Sequence, residues 1–317
     1  MFKYINPGFA ELLTFNGPNT FTTKNSDYNK LNGVSFSTNA NDEYNYVTIP
    51  ANIAEIYCVF NIYFVERKHY STPYFGVRFG SSYYENCTGL LFYTSGPYAT
   101  TLSLIACYNS NQSNKISISD YYNSGLQKIW LHIKRKVNED DSNGIVEFSI
   151  DGGKTIITSE FDKAITLYQN LLFRATGNYF SNIIISDEYI SPKEQIIKLP
   201  ISTTESDMTF DSETGLYTAT AANQSLLSAV NVNALAEEYG SDSQVTGVAL
   251  VGNPAYKTAE GLSALTAFAK DSSGNVTNYG THNLSDDTAG IISDSQALSN
   301  KTISDLRNMQ FGWKAGG

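Results

Sequence analysis

At 317 residues the chain exceeds one typical domain and is long enough to bury a core without metal or disulfide staples. Hydrophobic residues at 41% and aromatics at 13% exclude a disordered polymer, while only 16% of residues are charged, against about 25% in ordinary soluble domains. A net charge of −10 and a pI near 4.8 exclude nucleic-acid binding, which needs a basic footprint.

The first 199 residues read as a succession of short strands. VSFST, YNYVTIP, EIYCVFNIYFVE, YFGVRF, GLLFYTS, TLSLIACY, KISIS, IWLHIKRKV, GIVEFSID, LLFRA and NIIIS alternate or run apolar, with Asn, Gly, Ser and Asp clusters between them. In IWLHIKRKV the set Ile129, Leu131, Ile133 and Val137 falls on one face and Trp130, His132, Lys134 and Lys136 on the other, the period of a half-buried antiparallel strand. NEDDSNG then reads as a hairpin loop, and Asp151-Gly152-Gly153 supplies the positive φ of a tight turn. Regular strands with turn signals and almost no helical period predict a β-sandwich.

The composition shifts near Pro200. Residues 1–199 hold 16 Lys/Arg and 18 Asp/Glu, and the remaining 118 hold 5 and 13, so most of the negative charge sits in the second part. Eighteen of the 22 Tyr and 14 of the 17 Phe lie in the first part. The polar, twice-proline stretch from Ile190 to Met208 reads as a connector, which predicts domains over 1–195 and 200–317. In the second, GLYTATAA, SLLSAVNV, QVTGVALVG, LSALTAFAK and NVTNYGTHNL alternate as strands, with Ser272-Ser273-Gly274-Asn275 as a hairpin turn. Asn233 to Gly240 is the best helix, with an Asn cap and a terminal Gly. A short helical turn at Ser304 to Asn308 and a closing strand with Phe311 and Trp313 complete a smaller β-rich sandwich with one or two short helices.

Two resemblances follow from these segments. FNGPNTF from Phe15, YVTIPA from Tyr46, Ile129 to Ile156, and NYFSNIIISDEYIS from Asn178 together resemble the laminin-G/concanavalin-type jelly roll over about residues 15–190. That resemblance implies two packed antiparallel sheets, with glycan or protein ligands at rim loops or on the concave face. It also implies a single structural calcium in some members and polysaccharide cleavage in others. The second part, ending in NMQFGWKAG, resembles C-terminal domains of bacteriophage and prophage virion proteins, at the level of a tail-associated component.

Chemistry-bearing motifs are few. The three cysteines Cys58, Cys87 and Cys107 show no C-x-x-C spacing, so neither a disulfide framework nor a zinc finger is predicted. The start MFKYINPGFAELL lacks a basic segment before an apolar one, so no secretory signal is read there. No apolar run reaches bilayer length, which excludes membrane insertion. A jelly-roll lyase needs a His or Tyr base, a Tyr acid and an Arg or Asn on one face. His132, Arg78 and Arg174 supply the types, but no local signature joins them. Glu147 and Asp151 tempt as a glycosidase pair, yet Asp151 is explained by its turn and Glu147 by a solvated face. Asp140-Asp141 with Asn143, and Asp187-Glu188, are oxygen-rich loops without the register of an EF-hand.

Glycan recognition is the better-supported chemistry, because sugars stack their C–H faces on aromatic rings while amides and carboxylates take the hydroxyls. Tyr74, Tyr83, Tyr84, Asn86, Asn111, Tyr121 and Tyr122, in Tyr- and Asn-rich loops, are the predicted ligand-binding residues. The expectation is a non-enzymatic virion protein without cofactor, made in the bacterial cytoplasm. Its first domain binds a host-surface glycan or protein, its second binds other virion proteins, and copies of the chain associate. A jelly-roll polysaccharide lyase or hydrolase and a bacterial surface adhesin are the alternatives.

Overall fold

The structure, a computed structural model, describes residues 2–6, 14–16, 21–25, 34–38, 44–63, 75–79, 88–95, 101–108, 111–112, 116–117, 126–164, 169–174, 179–257, 262–284 and 290–316. The chain divides into two units, Met1–Ile197 and Lys198–Gly317.

The first unit is a jelly-roll sandwich of two antiparallel sheets. One sheet carries, in spatial order, β14 (Ile157–Phe161), β13 (Gly144–Ser149), β12 (Leu126–Lys134), β6 (Glu55–Tyr63), β16 (Tyr179–Ser186), β4 (Val34–Thr38) and β3 (Phe21–Asn25), with β1 (Lys3–Asn6) also on β16. The other carries β10 (Asn111–Gln112), β9 (Thr101–Tyr108), β8 (Thr88–Ser95), β7 (Phe75–Phe79), β15 (Asn170–Arg174), β5 (Tyr44–Thr48) and β2 (Thr14–Asn16), with β11 (Ile116–Ser117) also on β9.

Alternation decides what each sheet contributes to the core. Cys58, Phe60 and Ile62 of β6 and Ile129, Leu131 and Ile133 of β12 join Val77, Phe79, Leu90, Phe92, Leu104 and Phe173 of the facing sheet in one buried cluster. The even positions of β6 and the odd positions of β12 share a face because Leu131 pairs with Cys58. On β16 the inward parity changes from Phe180 to Ile183 and Ile185. The change is made by a bulge between Ser181 and Ile184, where Asn182 takes φ 52°. A left-handed residue inside a strand is tolerated by Asn better than by β-branched neighbours, which gives the N of NIIIS a backbone reason. The inward run of β12 also departs from expectation at its end. The strand stops at Lys134, and Arg135, buried, lays its guanidinium 4.0 Å over the Phe79 ring and donates to the Ile53 carbonyl.

The outer face of the first sheet is not simply solvated. Val59, Trp130, Ser149 and Ile184 form one cross-strand row there and are all buried. Residues 187–197, of which 190–197 read from the sequence as connector, fold back over this row. The Trp130 Nε1–H donates to the Ile190 carbonyl at 2.8 Å, and Ile190 is buried. Pro192 packs on the β13–β14 turn, where Gly152 and Gly153 take φ 72° and 86°, as DGG predicted. Burying Ile190 contributes about 1.5–3 kcal/mol and the indole hydrogen bond about 1 kcal/mol, enough to hold this strap down.

The second unit centres on a five-stranded sheet in the order β17 (Ile201–Ser206), β20 (Ser225–Val230), β25 (Gln310–Gly316), β22 (Ala264–Lys270) and β23 (Val276–Asn283). Two ribbons accompany it: β18 (Thr209–Asp211) with β19 (Leu216–Thr218), and β21 (Gln244–Ala255) with β24 (Gly290–Thr302). Leu250, Ala267, Ala269 and Phe311 pack with Ile303 and Leu306 in its core. Helix α1 (Asn233–Tyr239) ends at Gly240 with φ 88°, but its N-cap is Val232 and Asn233 is its first helical residue, so the predicted Asn cap is one position off. Helix α2 (Ile303–Leu306) starts in a capping box between Thr302 and Asp305. The polar ISTTES, expected as connector, is the exposed edge strand β17. Among the described residues no helix is long and apolar enough to cross a membrane.

Candidate functional site

One row of the first sheet's outer face, met by the strap at Ser186 and Tyr57, concentrates chemistry. In register across the strands lie Ser186 of β16, Tyr57 of β6, His132 of β12, Glu147 of β13 and Thr158 of β14. Glu55, two residues before Tyr57, shares its face by strand alternation.

His132 is almost fully buried and held from both ends. Its Nδ1 lies 2.8 Å from Glu147 Oε2 and its Nε2 2.9 Å from Glu55 Oε1. An imidazolium donates in both directions, whereas a neutral ring has one N–H. The Tyr57 ring stacks on the imidazole at 4.4 Å and 5°, and its hydroxyl donates to the same Glu55 oxygen at 3.0 Å. Glu147 is anchored in turn by the Thr158 hydroxyl at 2.9 Å. Burial, then the hydrogen bond to Glu55 and the charges of Glu55 and Glu147, push the Tyr57 phenol up to about 12, so it stays a donor at neutral pH.

Beside this network stands Tyr189, from the strap. It meets Tyr57 edge-on with ring centroids 5.6 Å apart, and it is 68% exposed. The Trp130 ring lies beside the network, 6.3 Å from Tyr57 and 6.2 Å from His132. A large exposed ring next to a rigid carboxylate-and-hydroxyl network is a surface that stacks a flat apolar face and hydrogen-bonds its polar rim.

The predicted site residues fare differently. Tyr74, Tyr83, Tyr84, Asn86, Tyr121 and Tyr122 lie outside the described residues, as does Cys87. Asn111 is placed only by its backbone, in β10 opposite Tyr108. The lyase grouping is broken by topology. Arg78 and Arg174 belong to β7 and β15 of the second sheet, while His132 stands on the outward face of the first. Glu147, read as a merely solvated carboxylate, is instead a partner of His132. Its place was recoverable, because the hairpin around NEDDSNG sets Glu147 opposite His132. Glu55 and Tyr189 were missed, since neither sits in a Tyr-rich loop.

The calcium that the resemblance implies does not fit the first acidic loop. Asp141 Oδ2 already accepts from the backbone N–H groups of Val137 and Asn138 and from Asn138 Nδ2, which hold its carboxyl below the usual range. Asp187 Oδ1 accepts from the Phe2 backbone N–H at 2.7 Å. Among the described residues no group of three or more His, Cys, Asp or Glu could hold a metal. His132 itself cannot ligate while each ring nitrogen faces a carboxylate.

No protein-family model matches the chain, and no curated protein matches it. Among solved structures it is similar to the exoplasmic/lumenal domain of VIP36 in its metal-free form, at 10% identity and a TM-score of 0.34. That match covers 62% of this chain and 96% of the other. It is also similar to arcelin-5, a lectin-like defense protein from Phaseolus vulgaris, at 7% identity and a TM-score of 0.29, covering 58% and 96%. The jelly-roll assignment rests on the strand ladders themselves.

Proposed function

We propose that the chain is a non-enzymatic structural protein of a bacteriophage or prophage particle, tail- or fibre-associated. Its jelly-roll unit recognises a host-surface glycan or protein, and its second unit attaches it to other virion proteins. It is made in the bacterial cytoplasm and works on the virion, where association of copies multiplies a weak site.

The observation that carries the recognition role is the exposed Tyr189 ring beside the fixed Tyr57–Glu55–His132–Glu147 network. The same network supports a binding role over catalysis. A general base needs an available lone pair at substrate distance. Both His132 nitrogens are engaged by carboxylates, Glu55 Oε1 accepts two bonds, and the Tyr57 phenol holds its proton. The virion role is supported by the second part's resemblance in sequence, and NMQFGWKAG supplies β25, a central strand of its sheet.

The test is retention of the labelled full chain on bacterial cells, wild type against Tyr189→Ala. Retention lost in the variant is expected, and equal retention of both refutes this surface. Incubation with polysaccharides should yield no unsaturated or reducing ends, and their appearance would favour the lyase or hydrolase.

A further inference from the structure

The charges around the platform narrow its ligand, on the footing of the recognition role above. We propose that this face selects saccharides by charge, taking a neutral or amino-bearing pyranose and excluding uronates and sulfated or phosphorylated sugars.

Glu55 is the carboxylate bonded to Tyr57, the ring on which Tyr189 packs. Its Oε1 is engaged by His132 and Tyr57, its side chain is 41% exposed, and its second oxygen has no partner among the described residues. That oxygen is an acceptor with no donor of its own, so it takes a sugar hydroxyl or an ammonium and repels an oxyanion. Two further carboxylates share the face. Glu147 lies across His132, and Glu160 stands two residues beyond Thr158 on the same side of β14. Against these stand Lys134, the cross-strand partner of Glu55, Lys128, which shares the outward parity of Trp130 and His132 on β12, and Lys3, the register partner of Ser186, whose ammonium lies 3.9 Å from Glu194. No arginine, the residue best shaped to fork onto a carboxylate or phosphate, reaches this row among the described residues, since Arg135 points inward onto Phe79.

A pyranose stacked on Tyr189 with its edge toward Tyr57 would therefore present its substituents to Glu55. A hydroxyl there gains a charge-assisted hydrogen bond, an ammonium gains an ion pair, and a carboxylate or sulfate meets a like charge that the ring stack holds in place. The ranking is amino-bearing, then neutral, then acidic.

The experiment is affinity electrophoresis of the full chain through gels containing chitosan fragments, neutral β-glucan or polygalacturonate, with Tyr189→Ala and Glu55→Gln alongside. Wild type should be retarded by the first two and at least about tenfold less by polygalacturonate. Tyr189→Ala should weaken retardation about tenfold. Glu55→Gln should erase the advantage of chitosan over β-glucan and weaken β-glucan binding less than Tyr189→Ala does. Retardation by polygalacturonate equal to β-glucan overturns the charge selection and leaves the recognition role standing. Retardation by none of the three overturns both, and retardation indifferent to Tyr189→Ala overturns the placement of the site.

Discussion

Gly144 opens β13 directly against the core, and its substitution tests the packing that fixes the binding face. A Cβ built there would lie 2.2 Å from both Cζ and the hydroxyl oxygen of Tyr108, against about 3.5–4.0 Å for a relaxed carbon contact. Tyr108 has little freedom to yield. It is fully buried, stacks on Phe161 at 4.9 Å and 7°, and accepts from the Lys136 backbone N–H at 2.6 Å. Gly144→Ala must therefore push the ring aside by about 1–2 Å, at an overpacking cost of about 1–3 kcal/mol. It also strips the Lys136 N–H of its acceptor, about 1–3 kcal/mol more. Gly144 does not have positive φ, so alanine recovers about 0.4–1 kcal/mol from the unfolded state. The net loss is about 1–5 kcal/mol, a fall of about 0.4–2 M in the urea midpoint for a slope of about 2.5 kcal/mol/M. The two tryptophans fall one in each unit, so Trp130 fluorescence in a Trp313→Phe background reports the first unit alone. In a Tyr108→Leu background the alanine should cost little further. A midpoint within about 0.3 M of wild type would refute the close packing of Gly144 on Tyr108.

Gly312→Ala should cost the second unit about 3 kcal/mol or more in thermal or urea unfolding, because its Cβ would sit 1.9 Å from the Leu226 carbonyl oxygen and a backbone cannot step aside. Burial pushes the Cys58 thiol far up, so native protein at pH 8 should resist iodoacetamide at this site by mass spectrometry, and rapid alkylation there would contradict its burial. Asp151 is held down to about 2, first by the Thr155 backbone N–H, and Asp305 is held low by the Thr302 backbone N–H. Their folded-state values lie below the unfolded ones, so their contribution is present above about pH 4 and lost as pH falls toward 2; an acid titration of stability should decline through that window, least in an Asp151→Asn, Asp305→Asn variant. His132→Ala should lower first-unit stability by about 1–2 kcal/mol, since it strands two partly exposed carboxylates and removes the stack on Tyr57.

Strand positions were legible wherever alternation met a turn signal. VSFST, EIYCVFNIY, IWLHIK and GIVEFS all became strands, and DGG became the turn between β13 and β14. Strands lacking apolar alternation were not. ISTTES gains its conformation only by pairing with β20, and GIISDSQALSNKT, polar along much of its length, is strand because β21 lies beside it. Tertiary pairing overrides local preference at such edges. The binding face was half-legible. The outward parity of Trp130 and His132 was plain in the sequence, and the hairpin register carried Glu147 to His132. The meeting of Glu55 with His132 across β6 and β12 needed the sheet order, and the return of Tyr189 onto Tyr57 needed the strap, neither of which has a local signature.

The account stands or falls on whether sugar lands on the outward face of the first sheet. The direct measurement is aromatic ring NMR of the full chain with carbon-13 tyrosine, titrated with a neutral β-glucan oligosaccharide. The Tyr57 and Tyr189 ring signals, assigned by Tyr→Phe substitution, should shift in parallel and saturate. Saturable binding that leaves both signals unmoved while other tyrosines shift would contradict the account.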